Sequence, residues 1–145
     1  MKKFEEFIGE SEAAYSHTEM YSDLVLDILQ TTAEVKLCHW QTFGVAQHKS
    51  FDDFQDNFGD LTDKLIEVIM GKYGRPRIGS AAIEVADYMD IDMMKFFDYQ
   101  YQFFTNMKGK FDEAADGEII NILEEVVAEI SKQRYLLTLE STENE

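Results

Sequence analysis

The sequence predicts an all-α protein of four helices, joined as two pairs by one long connection. Three observations carry that reading. Apolar residues recur at three- and four-residue spacing through four segments. The breakers gather between those segments: Pro76, the only proline, and glycines at 44, at 71, 74 and 79, and at 109 and 117. No period-two alternation runs longer than four residues, so no strand is expected.

The first helix is expected from about Tyr21 to Phe43, striped by Tyr21, Leu24, Val25, Ile28, Thr32, Val35, His39 and Phe43. The second runs from about Lys49 to Met70 on Phe51, Phe54, Phe58, Leu61, Leu65 and Ile69. The less regular stretch Arg75 to Ile91 is the long connection, with a short helix expected over Ala81 to Met89. The third helix, Asp92 to about Phe111, is dense in aromatics. The fourth, Gly117 to about Leu139, carries Ile120, Leu123, Val127, Ile130, Arg134 and Leu137 in phase. Together these form a four-helix bundle with one crossover. One domain spans residues 1–145, with 1–18 as an N-terminal arm and 141–145 as a frayed tail.

Composition narrows the partners. Thirteen Lys and Arg stand against 29 Asp and Glu, a net charge of −16, which argues against nucleic acid and against an anionic membrane surface. Hydrophobic residues at 45% exclude a disordered acidic tail. The single cysteine, Cys38, permits no internal disulfide and fits a reducing compartment. No apolar run reaches the length of a membrane span, and none resembles a signal-peptide core. A cytoplasmic protein is expected.

Chemistry is expected on the second helix. His48 with Asp52, and Asp63 with Glu67, are i, i+4 pairs able to share a metal ion. On a helical wheel the four fall at roughly 0°, 40°, 60° and 100°, clear of the apolar stripe at roughly 220–300°. Asp52 and Asp63 lie about 16 Å apart along the axis, too far for one ion. A second copy packed antiparallel resolves this. Positions 48 and 67 share their midpoint with 52 and 63, between Asn57 and Phe58. Such pairing sets His48 and Asp52 beside Glu67 and Asp63 of the other copy, with Gly59 near the crossing to allow close approach. His39 joins from the first helix. Two imidazoles with three carboxylates suit iron, manganese or zinc more than copper(I). In so acidic a chain any one acidic pair reads more readily as a solvated face. The shared midpoint, the shared face and the central glycine lift the set above that reading.

The same residues resemble the Dps mini-ferritins. The match is carried by His39-Trp40, Gly44, His48-x3-Asp52, Phe58-Gly59-x3-Asp63-x3-Glu67, the Gly74-Arg75-Pro76 stretch and the closing helix 116–137. The resemblance implies a ferritin-like bundle with a short crossover helix, twelve copies in a shell built from two-fold dimers, and a ferroxidase centre between subunits. His39, His48 and Asp52 would come from one chain, Asp63 and Glu67 from its partner, with Trp40 nearby. It further implies iron(II) oxidation by peroxide or oxygen and storage of iron(III), zinc or manganese serving as substitute metals. Asp53, Asp56 and Asp60 would lead iron inward, and Asp112, Glu113 and Asp116 would line a pore. Two departures stand out. The stretch between His39 and His48 is shorter than in typical members, and the lysine-rich arm used for DNA is missing. The alternative is a structural or interaction shell that keeps the fold without ferroxidase activity.

Overall fold

Helix boundaries follow from local chemistry. The chain, described for Glu6 and residues 21–139 in a computed structural model, forms α1 (Ser22–Gln41), α2 (Val45–Tyr73), α3 (Met93–Lys108) and α4 (Gly117–Leu137). The expected arm over 1–18, apart from Glu6, and the tail over 141–145 lie outside the described residues. Among the described residues there is no strand. Only three residues, 42–44, separate α1 from α2, so the two form a tight antiparallel hairpin. Extended backbone at Gly44 (φ −113°, ψ 146°) starts α2 four residues before the expected Lys49 and puts His48 in its first turn. At the N-terminus of α3, the Asp92 side chain accepts from the Lys95 N–H at 3.1 Å.

Contacts between helices give the direction of each. Phe54 and Phe58 of α2 meet Phe97 and Phe104 of α3 edge-on, with centroids 5.0 and 5.9 Å apart, so α2 and α3 run parallel. Ser50 with Gln133 and Asn57 with Glu129 set α4 antiparallel to α2. Arg134 with Asp98 and Lys108 with Glu124 set α4 antiparallel to α3. The order is therefore up, down, down, up. That order obliges residues 74–92 to travel the length of the bundle.

This crossover is extended, not helical. The helix expected over Ala81 to Met89 is absent, and the reason is tertiary. The N–H groups of Glu84, Ala86 and Tyr88 donate to Gln30, Glu34 and Gln41 on α1, at 3.3, 2.7 and 2.8 Å. Three side chains on one face of α1 thus take the donors a helix would have used. Gln41 also donates to Asp87 at 3.0 Å. At the far end, the Tyr21 hydroxyl donates to the Gly74 carbonyl at 2.5 Å. Gly79 turns the chain at φ +74°, a left-handed conformation that favours glycine.

The core joins all four helices: Leu24, Ile28 and Val35 from α1, Phe51, Phe54, Phe58, Leu65 and Ile69 from α2, Phe97 and Phe104 from α3, and Ile119, Leu123, Val126 and Ile130 from α4. On α2 this is the expected stripe. On α4, Leu123 and Ile130 are buried as expected, while Ile119, Val126 and Gln133 are buried in place of Ile120, Val127 and Arg134, one residue earlier, and Arg134 turns out to pair with Asp98. Phe43, expected on the α1 stripe, is 83% exposed because the helix ends before it.

Candidate metal centre

All five residues singled out in the sequence sit on the α1–α2 hairpin. The early start of α2 lays the His48 ring against that of His39, with centroids 4.1 Å apart and planes 27° apart. His48 Nδ1 lies 3.0 Å from the His39 carbonyl oxygen. A carbonyl can only accept, so Nδ1 carries a proton, and in the neutral ring Nε2 is the nitrogen that keeps a lone pair. Metal-binding histidines are commonly oriented this way, by a backbone carbonyl on the other ring nitrogen.

His39 is the more telling residue. Its side chain is 12% exposed, and neither ring nitrogen has a hydrogen-bond partner. Buried polar atoms are nearly always paired, so two orphaned nitrogens on one ring call for a ligand. Asp52 Oδ1 lies 3.7 Å from His39 Nε2, too far for a hydrogen bond. An ion at about 2.1 Å from each would sit between them at an angle of about 120°.

The second pair is elsewhere. Asp63 and Glu67 are exposed on α2 beside a groove of about 280 Å³ lined by Val25, Ile28, Leu29, Thr62, Ile66 and Met70. Neither forms an ion pair among the described residues. The chain therefore brings His39, His48 and Asp52 together and leaves Asp63 and Glu67 about 16 Å along the helix axis. Within one chain, the described residues form no complete cluster of three or more His, Cys, Asp or Glu that could hold an ion. Gly59 lies midway, with open space where a Cβ would stand.

The surroundings carry both charge and apolar surface. Lys36 lies over the Trp40 ring at 5.6 Å, and Trp40 is 66% exposed with Leu29 about three turns away on the same face. Asp53, Asp56 and Asp60 are exposed. Asp116, expected at a pore, is instead buried. It accepts from the Tyr73 hydroxyl at 2.6 Å, the Asp112 N–H at 2.9 Å and the Lys72 ammonium at 2.7 Å, which hold its carboxyl well down, at about 2. Lys72 also donates to the Ala115 carbonyl. Asp116 thus ties the end of α2 to the turn before α4. Asp112 accepts from the Ala114 N–H and shapes that turn, while Glu113 is exposed.

Sequence reasoning missed the acids on the inner side of α1, Glu34 buried and Asp27 half-buried. Glu34 is 3% exposed, bonded to Ala86 and Cys38. Asp27 lies beside Thr31 and Gln100, and burial pushes its carboxyl up to about 6. The available signal was phase: Thr31, Glu34 and Cys38 follow Ile28 at helical spacing.

Residues 39–137 match a family described as Family of unknown function (DUF5856), with His39 the first position matched. No curated protein and no solved structure matches the chain.

Proposed function

We propose that this chain, which belongs to the DUF5856 family, binds iron(II) at sites shared between two copies and oxidises it in the manner of a Dps-type mini-ferritin. The observation that carries the reading is His39, held out of water with both ring nitrogens unpartnered, against a second imidazole and within reach of Asp52. Asp63 and Glu67 of a second copy would complete the oxygen ligands, matched to Asp52 and His48 by their common midpoint. The up-down-down-up order with a long crossover is the connectivity a ferritin-like bundle requires. Imidazole and carboxylate together suit iron, with manganese or zinc as substitutes. The carboxylates would neutralise and bridge cations, and the imidazoles would leave positions open to peroxide or oxygen.

The test joins assembly to chemistry. Solution mass is expected at about 200 kDa for twelve copies of 16.8 kDa, or about 34 kDa for the dimer alone. Added iron(II) should be oxidised with a rise in near-ultraviolet absorbance, and the fast phase should vanish in Asp63→Ala/Glu67→Ala. Unchanged kinetics in that double variant would remove these carboxylates from the site. A second reading, an assembly protein without iron chemistry, is favoured by the exposed Leu29 and Trp40 on the face that would pair. It predicts the same assembled mass with no metal bound at micromolar iron(II) or zinc(II).

A further inference from the structure

Half of the large apolar side chains that stand exposed among the described residues gather at one end of the bundle, where α1 ends, α2 begins, the crossover arrives and α4 ends. They are Phe43, Val45, Met89, Tyr135 and Leu139, each more than half exposed and Phe43 the most of all. Leu139 lines a cavity of about 340 Å³ here, and Val45, Met89 and Tyr135 each stand next in sequence to a residue that lines it. Its other walls include Ala46, Ser50 and Phe51 of α2, Tyr88 of the crossover, and Leu136 and Leu137 of α4. None of the described lining residues is charged, in a chain of net charge −16. The repulsion that keeps two copies apart elsewhere is missing from this patch. At about 180 Å² per large side chain, the five expose roughly 600 Å². Two copies would bury about 1,200 Å², which reaches the lower bound for a stable interface.

We propose that two copies of this chain pair through this end of the bundle, each inserting Phe43 into the cavity of the other. Phe43 stands in the α1–α2 turn, three residues before Ala46, so a projecting ring and a recess share one surface. A two-fold contact requires that arrangement, since each copy must offer what it accepts. An apolar cavity of roughly 150 Å³ takes a benzene ring. A cavity of about 340 Å³ therefore admits the Phe43 ring with Val45 entering beside it. The surface is separate from the candidate metal centre. With His48 at 0° on the wheel of α2, Ala46, Ser50 and Phe51 fall at roughly 160°, 200° and 300°, off the face that carries Asp52, Asp63 and Glu67. The contact thus needs no metal.

The test is sedimentation of the whole chain in chelator. The native chain is expected to associate, and Phe43→Ser, at an exposed position, should halve the sedimenting mass and raise the Kd at least about a hundredfold with helicity unchanged. Ala46→Trp, which fills the recess, should do the same. An equimolar mixture of the two variants brings together one intact ring and one intact recess, and should regain paired species more weakly than the native chain. Asp63→Ala/Glu67→Ala should leave this contact in place, so its loss and the loss of metal-bridged pairing are separately visible. A mass indifferent to Phe43→Ser, or a mixture that stays unpaired, would overturn the proposal. So would a native monomer of 16.8 kDa that takes up a small apolar dye unless Ala46→Trp is present, which would assign the cavity to a small molecule instead.

Discussion

At the scale of single residues, burial decides what the acids of α1 do. Asp27 sits beside Thr31 and Gln100, whose amide, with its nitrogen turned toward α1, donates to the carboxylate at 2.5 Å. Those bonds favour the ionised form, but burial outweighs them and the pKa stands at about 6. Folded protein therefore holds this proton to a higher pH than unfolded chain does. The stabilisation is full at low pH and is lost as pH rises from about 4 to about 6. Two pH units correspond to up to about 3 kcal/mol. Asp27→Asn should remove that part of the pH dependence, read as the difference between the two unfolding-midpoint curves over this range. Cys38 behaves in the same sense. Burial and the neighbouring Glu34 push its thiol up to about 12, so it should react with a thiol reagent only as the protein unfolds. Rapid labelling of the native chain would contradict its placement.

The helices themselves were largely legible in the sequence. The α2 stripe is made of three phenylalanines followed by leucines and an isoleucine at strict helical spacing, and nothing on the opposite face competes with it. Phe54 touches Phe58 and Phe97, and Phe54→Ala should cost about 3–5 kcal/mol in a denaturant titration. On α4 apolar residues occupy adjacent positions, so periodicity left the stripe uncertain by one residue, and tertiary pairing of Arg134 with Asp98 decided it. The crossover was misread because its conformation is set by side chains distant in sequence. Gln30, Glu34 and Gln41 hold it, and no local pattern over residues 81–89 records that. Gln41→Ala should free its end, seen as faster proteolytic cleavage near Tyr88 with helix content retained. The candidate ligands were picked out by spacing. What spacing missed was the histidine stack, which depends on α2 beginning at Val45.

For the whole molecule, the charge of −16 sets the terms of association. The proposed antiparallel pair, centred between Asn57 and Phe58, would bring Asp63 and Glu67 of one copy toward Asp52 of the other, three carboxylates that repel without a cation between them. Divalent metal should therefore tighten assembly. Sedimentation with manganese(II) and then with chelator is expected to show larger particles in the first condition, and no difference between the two would count against shared sites. Acid acts at another place. The Lys72, Tyr73 and Asp112 contacts of Asp116 stabilise the fold above about pH 4, and that contribution is lost as pH falls toward 2. Asp116→Asn should flatten the acid limb of the unfolding curve.

The connectivity has one more consequence. Each helix pair closes through a short turn, α1 with α2 and α3 with α4, and only the crossover links the two pairs. Every candidate ligand of the surface centre belongs to the first pair, which leaves the second as its apolar backing. The candidate ligands and their scaffold are thus divisible along the chain. A cut at Gly79 would sever no helix, and the two fragments would carry complementary faces able to find each other as separate polypeptides.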